Sequence, residues 1–302
     1  MNGKRGGLKT FLLDVVRGCA IGVAFIIPGF SGGSVAAILG IYEKLVGAIA
    51  DIFKDFKRSI LTLLPILIGM ACGIVALLFP LEWALEAYPI PTVCIFVGLA
   101  LGGLPSVTDK LRGKIKATNV IAFVIPLLAA FSLSFLPIGS EIDLFSLNFG
   151  GYVLLFLIGM VGSAALVVPG ISGSMLLLIF GYYNPIVSMV TDNLLKGENV
   201  GLSISVLATA GVGMIVGFIL ISMIMKKLLA ACPRGTYFAI LGFILGALPT
   251  VFISTAKESG LEFAALMPNV GYWIVSAVLL LAGVAASLAL VIFSKKKLGK
   301  TE

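Results

Sequence analysis

From Ile60 to Phe79 the chain runs for twenty residues without a charged side chain. That matches the roughly 20 apolar residues an α-helix needs to cross the hydrocarbon core of a bilayer. Uncharged runs recur over Thr92–Val107, Val120–Leu136, Ile204–Met225, Tyr237–Ser254 and Tyr272–Phe293. In lipid every backbone N–H and C=O must find its partner within the protein, which leaves helices as the economical solution for a series of separate apolar runs. The sequence therefore specifies an all-α integral membrane protein. Composition agrees: 12% of residues are Asp, Glu, Lys or Arg, against about 25% in a soluble domain.

The chain also repeats itself. A shift of 141 residues lays Pro28-Gly29-Phe30-Ser31-Gly32 on Pro169-Gly170-Ile171-Ser172-Gly173 and pairs Gly18 with Gly159, Gly40 with Gly181, Tyr42 with Tyr183 and Asp51 with Asp192. A shift of 144 pairs Gly69 and Gly73 with Gly213 and Gly217, and Gly98, Gly102 and Pro105 with Gly242, Gly246 and Pro249. Apolar matches arise easily by chance in membrane proteins, but an ordered series of Gly, Pro, Ser, Tyr and Asp does not. Two homologous halves follow, 10–137 and 150–294, joined by a short polar linker with Glu141 and Asp143. Each half is expected to hold a broken or re-entrant helical hairpin followed by three transmembrane helices.

Charge orients them. Basic residues cluster at Lys4 to Lys9, Lys54 to Arg58, Lys110 to Lys116, Lys226 to Arg234 and Lys295 to Lys300. One threading of the chain puts all five clusters in the cytoplasm, with both termini there and the acidic or mixed loops outside. Both ends of the first hairpin then lie inside and both ends of the second outside, so the halves are inverted repeats of the kind secondary transporters use. The net charge of +7 is accounted for by this anchoring and requires no nucleic acid. Basic residues ahead of the first apolar stretch suggest a signal peptide. Asp14 and Arg17 interrupt that stretch and no clean small-x-small site ends it, so the segment is expected to be retained.

Chemistry is narrowed by an absence: the sequence contains no histidine. Ser-His-Asp and Cys-His catalysis, histidine-ligated metals and imidazole proton relays are excluded together. Cys19, Cys72, Cys94 and Cys232 are widely spaced and sit in or beside apolar segments, as buried free thiols do. Gly29-Phe30-Ser31-Gly32-Gly33 matches a nucleophile elbow, but such a serine needs a base. Lys44 is the nearby candidate, towards the cytoplasmic end of its leg. A non-enzyme with no cofactor and no metal is the expectation.

What the doubled motif can do is bind. Pro28, Gly29, Pro169 and Gly170 break the hairpins, and a bland reading has them only turning the chain. A short helix begins after each break, near Gly33 or Ser34 and near Ser174 or Met175, and its first turn carries unpaired N–H groups that attract anions. Ser31, Gly32, Gly33 and Ser34 with Ser172, Gly173 and Ser174 then offer hydroxyl donors and close backbone approach. The legs are short, about 15 Å from Gly18 to Pro28 at 1.5 Å per residue, which favours re-entrant hairpins meeting near the midplane over fully crossing ones.

Charged residues within the hairpin carry two readings each. Arg17 can grip a phosphate through two parallel hydrogen bonds, or it can pair with Asp14 or reach the cytoplasmic surface. Glu43 is either a helix-end carboxylate paired with Lys44 or Arg17, or a protonatable group that couples transport to a proton gradient. Asn184 stands at its position in the second half and Asp14 has no charged counterpart, so any such coupling would be asymmetric. The Gly-x-x-x-Gly pairs at 18/22, 69/73, 98/102, 213/217 and 242/246 read as close helix contacts. Trp83, Tyr88, Tyr272 and Trp273 form an aromatic belt at the outer side.

Pro28-Gly29-Phe30-Ser31-Gly32-Gly33 with Gly40-Ile41-Tyr42-Glu43, and Pro169-Gly170-Ile171-Ser172-Gly173-Ser174 with Gly181-Tyr182-Tyr183, resemble the bacterial and archaeal polyprenyl-phosphate transporter family, PopT, over nearly the whole chain. The resemblance implies a flippase that returns undecaprenyl phosphate, the carrier for peptidoglycan and other cell-envelope polymers, from the outer to the cytoplasmic leaflet of the cell membrane. In that family an acidic residue often follows the second Gly-x-Tyr; Asn184 departs from this and weighs against two matched carboxylates. The residues alone leave a transporter or channel for a small soluble anion as the alternative, using the same site.

Overall fold

In a computed structural model the chain is described over residues 8–26, 31–136, 139–170, 173–194, 196–258 and 270–298. Those residues form α-helices and connecting turns, with no strand among them. The first hairpin is α1 (Leu8–Ile26), α2 (Gly32–Ile38) and α3 (Tyr42–Ala50), followed by α4 (Phe56–Ala87), α5 (Pro89–Thr108) and α6 (Ala117–Ser132). Then come α7 (Phe149–Val167), α8 (Gly173–Ile179), α9 (Tyr183–Ser188) running into a π-turn (Met189–Leu194), α10 (Val200–Ala231), α11 (Pro233–Glu258) and α12 (Val270–Leu298).

Local chemistry explains several boundaries. The Asp55 carboxylate accepts the Arg58 N–H at 3.2 Å and caps α4. Pro89 opens α5, where its missing N–H costs nothing. Gly40 (φ +68°) and Gly181 (φ +75°) end α2 and α8 in the left-handed conformation. Around Gly40 the Gly40 and Ile41 N–H groups donate to Ala37 and Ala36; around Gly181 the Gly181 and Tyr182 N–H groups donate to Leu178 and Leu177. The same two-bond C-terminal cap is thus built twice from the same spacing.

Long helices pair along glycine seams. A Cβ on Gly18 or Gly22 would run into the backbone of Ile66 or Met70, and one on Gly69 or Gly73 into that of Val15 or Cys19, so α1 lies parallel to α4. Gly213 and Gly217 meet Phe156 and Met160 in the same sense, laying α7 along α10. Gly98 and Gly102 meet Leu280 and Val284, joining α5 to α12, and Gly242 and Gly246 meet Phe123 and Leu127, joining α11 to α6. All five Gly-x-x-x-Gly pairs are therefore close backbone contacts, as their spacing predicts. The last two seams exchange helices between the early and late parts of the chain.

At the centre stand α5 and α11, packed on each other. Their apolar windows are 61% and 56% buried, against 28%, 22% and 17% for α4, α10 and α12, whose outer faces are left for lipid. Among the described residues five helices are long and apolar enough to cross a membrane: Phe56–Leu77, Pro89–Leu111, Val200–Ala231, Pro233–Ala256 and Val270–Ala289. The sixth expected span, Val120–Leu136, is shorter: α6 contains Pro126 and stops at Ser132, after which Leu133–Phe135 tighten into a 3-10 turn.

Three of the basic clusters, 54–58, 110–116 and 226–234, lie at one end of the bundle. Lys226 pairs with Asp51, and Arg234 Nε donates to the Leu111 carbonyl at 3.2 Å. At the opposite end of α5 the Ile90 N–H donates to the Tyr272 hydroxyl at 3.2 Å, beside the edge-on ring pairs Trp83–Tyr88 and Tyr272–Trp273. The segment over residues 139–148 is not a free tether. Its Gly139 and Ile142 N–H groups donate to Leu178 and Gly181, and Leu144 is buried against the second hairpin.

Candidate functional site

The hairpins carry two separate polar features. The first is a charge cluster between the legs of the first hairpin. Asp14, on the second turn of α1, pairs with Arg17 one turn later at 3.3 Å and with Lys44 of α3 across the hairpin. The carboxylate side chain is 4% exposed, whereas Arg17 and Lys44 are 28% and 38% exposed. The anion is thus the buried member, and the cations approach it from the more open side. A buried charge is tolerated when it is paired, and here one carboxylate holds two cations. Among the described residues Arg17 and Lys44 have no other carboxylate partner, so one positive charge is left in excess. Arg17 is thus seen in its ion pair with Asp14.

Glu43 does something different from what its sequence neighbours suggest. It pairs with neither Lys44 nor Arg17. Its carboxylate accepts the Tyr237 hydroxyl of α11 at 2.5 Å, and Lys110 lies 3.5 Å away, above the Tyr237 ring. The reason is helical geometry: Glu43 and Lys44 are about 100° apart around α3, so Lys44 turns to α1 while Glu43 turns to α11. In the second half Asn184 donates to Glu141 at 2.8 Å. The position after the doubled Gly-x-Tyr therefore touches a carboxylate or supplies one in both halves, with the roles reversed.

The second feature is the tips. Ser31, Gly32, Gly33 and Ser34 are buried at the start of α2, and the Ser31 hydroxyl donates to the carbonyl of Val168 at 3.4 Å, 137 residues away. Pro169 and Gly170 are buried at the second tip, where Gly170 (φ +82°) has no room for a Cβ against the Phe243 backbone. Phe243 is ten residues into α11, about 15 Å from its basic end at 1.5 Å per residue. Gly173 is the buried first residue of α8. Pro28, Gly29 and Ser172 lie outside the described residues, as does the side chain of Ser174. Below the first tip, Ser106 of α5 donates at 2.5 Å to the Ile38 carbonyl, tying the C-terminus of α2 to the central helix.

Chemically, the arrangement offers cations, hydroxyls and backbone donors inside an apolar bundle, which suits an oxyanion. With that geometry in place, the chain can be compared with known proteins. Residues 21–263 match the family model described as "VCA0040-like: Undecaprenyl phosphate translocase-like". The chain belongs to this undecaprenyl phosphate translocase-like family. Two relatives share most of its length. A polyprenyl-phosphate transporter of Staphylococcus aureus (strain NCTC 8325 / PS 47) is 31% identical over 283 residues, 92% of this chain and 95% of the relative. A polyprenyl-phosphate transporter of Vibrio cholerae serotype O1 (strain ATCC 39315 / El Tor Inaba N16961) is 26% identical over 326 residues, 96% of this chain and 99% of the relative. No solved structure matches the chain.

These relatives are named transporters, which is consistent with a non-enzyme, and the family match with the apolar helices makes this a multi-pass membrane protein. The translocase-like stretch takes in both tips, Glu43, Lys44 and Tyr237, while Asp14 and Arg17 precede it. Sequence reasoning missed Lys44 as the second partner of Asp14, and it missed Tyr237 and Lys110. For Lys44 the signal was present, since a lysine on an apolar hairpin facing a leg with an unmatched aspartate is a candidate partner. Tyr237 gave none: the 144-residue shift sets it against Val93.

Proposed function

We propose that this protein is a flippase for polyprenyl phosphate, of the undecaprenyl phosphate type, returning the carrier from the outer to the cytoplasmic leaflet for reuse in envelope polymer synthesis. The observation that carries the proposal is the meeting of the two tips through Ser31 and Val168, 137 residues apart. In this account Arg17, Ser31, Gly32, Gly33, Ser34, Ser172, Gly173 and Ser174 hold the phosphate while Pro28, Gly29, Pro169 and Gly170 break the hairpins. The polyprenyl tail stays in lipid, so the protein needs a polar path for the head group alone across about 30 Å of hydrocarbon.

The account treats 10–137 and 150–294 as inverted repeats that rock around this site, with both termini cytoplasmic. Three observations support it. The two-glycine caps are duplicated at Gly40 and Gly181. The α1–α4 seam is duplicated in α7–α10. The ion pair of Asp51 with Lys226 brings the start of α4 beside the end of α10, as opposite chain senses require. Re-entrance is supported by register. With Cys19 against Gly73 and Gly22 against Met70, the end of α1 lies level with residues 74–80 of α4, about 10–20 Å short of its far end. Coupling to protons falls to Asp14 and Glu43, asymmetrically, because Asn184 replaces the second carboxylate.

Replacing Ser31 and Ser172 together by leucine should abolish translocation in liposomes while the purified protein stays folded. Normal flipping by that folded variant would remove the tips from the phosphate path.

A further inference from the structure

We propose that Lys44 is a second phosphate-binding cation, that Asp14 is an internal anion which occupies Arg17 and Lys44 when no phosphate is present, and that the head group passes between this cluster and the basic end of the protein through the cleft beside α3. The inference rests on the flippase proposal and names how its site manages charge.

Stoichiometry is the starting point. A structural ion pair needs one cation for one carboxylate. Asp14 holds two, one from each leg of the hairpin, in a protein where an uncompensated charge is costly. The excess positive charge is matched when an anion joins the cluster. A phosphate monoester carries about −1.5 to −2 near neutral pH and has three strong acceptor oxygens, so it suits two cations better than one carboxylate does.

Location is the second point. An open cleft of about 350 Å³ lies between α3 and the first turns of α4, and Lys44 forms part of its wall with Arg58, Ser59 and Thr62. Three carboxylates, Glu43, Asp51 and Asp55, border it, and each has a partner other than Lys44. Glu43 accepts from Tyr237 and pairs with Lys110. Asp51 pairs with Lys226, and Asp55 accepts the Arg58 backbone N–H. Among the described residues Lys44 is therefore held by Asp14 alone, and it links the buried cluster to the open cleft. The head group would exchange with Asp14 rather than with solvent, so the two cations keep an anionic partner in both states and are fully matched only by the phosphate.

The test uses the whole protein in nanodiscs, with polyprenyl phosphate as probe, the parent polyprenol as control, and inorganic phosphate in a separate arm. Lys44→Met should weaken binding of polyprenyl phosphate about ten- to a hundredfold, the range expected for losing a charged hydrogen bond. Lys44→Arg should recover most of it. Asp14→Asn should bind the phosphate more tightly than the unmodified protein yet flip it more slowly, because the internal competitor that drives release is gone. A Lys44→Met protein that binds as the unmodified one does would overturn the assignment and leave the flippase proposal standing. Weaker binding by folded Asp14→Asn would overturn the exchange role. Failure of the unmodified protein to bind polyprenyl phosphate would overturn the flippase proposal, and this one with it. Inorganic phosphate binding as tightly as the lipid, with the same dependence on Lys44, would make free phosphate the ligand and overturn the lipid assignment.

Discussion

Two glycines on α10, two residues apart and so on different faces of the helix, should respond to the same substitution with opposite signs. Gly213 faces α7: a Cβ there would run into the Phe156 carbonyl, with the Phe156 carbonyl carbon 3.0 Å and its Cα 3.1 Å away. Those atoms belong to helix backbone and cannot swing aside as a side-chain tip would. Gly213→Ala must therefore push α7 and α10 apart, an overpacking cost of about 1–3 kcal/mol. Gly211, two residues earlier, has nothing within 4 Å of the same position. There Gly→Ala only reduces the freedom of the unfolded chain and should stabilise by about 0.5–1 kcal/mol. The two variants should differ by about 1.5–4 kcal/mol, measured as reversible unfolding in mixed micelles. Because α7 carries the second tip, the destabilised variant should also flip lipid more slowly. If Gly213→Ala is as mild as Gly211→Ala, the seam is not a backbone contact and the parallel pairing of α7 with α10 fails.

Other outcomes follow from single contacts. Tyr237→Phe removes the hydroxyl from half-exposed Glu43, which keeps Lys110; a double-mutant cycle with Glu43→Ala should give a coupling of about 0.5–1.5 kcal/mol, and zero coupling would contradict the contact. Asp51 is held below the usual carboxylate range chiefly by its hydrogen bond from Lys226; burial opposes this, and the nearby charges of Lys226, Lys54 and Arg58 each add a smaller depression. A depressed folded pKa means that its contribution is present above the unfolded value of about 3.9 and is lost as pH falls through the lower folded one. Asp51→Asn should therefore flatten the acid limb of a melting-temperature profile below about pH 4, while leaving the profile near neutrality parallel to that of the unmodified protein.

Much of this architecture is legible in the residues. The uncharged runs mark the long helices, because lipid leaves apolar helices few alternatives. The glycine pairs mark the seams, because only a missing Cβ lets two backbones approach so closely. Gly40 and Gly181 mark the ends of the short hairpin helices for a similar reason. Partner choice is less legible. Nothing in an apolar run says that α5 packs on α12 rather than on α6, since lipid-facing and helix-facing leucines look alike in one dimension. The tightening of Val120–Leu136 into a shorter helix depends on Pro126 and on a 3-10 turn without its own sequence mark. At the site, Asp14 and Arg17 stand out because charge is rare in such a leg. Glu43 stands out equally, but its partner is Tyr237, 194 residues away, and a tyrosine at a helix start is ordinary.

The central claim is that the chain moves a lipid phosphate across a bilayer without chemistry. The direct measurement is a purified, reconstituted assay: liposomes with polyprenyl phosphate in one leaflet, read by the appearance of its head group in the other, with inorganic phosphate monitored in parallel. The account predicts protein-dependent translocation with no phosphate released, and its loss in the Ser31→Leu, Ser172→Leu double variant. Uptake of a soluble anion or ionic current with no lipid translocation would contradict it, and so would release of inorganic phosphate.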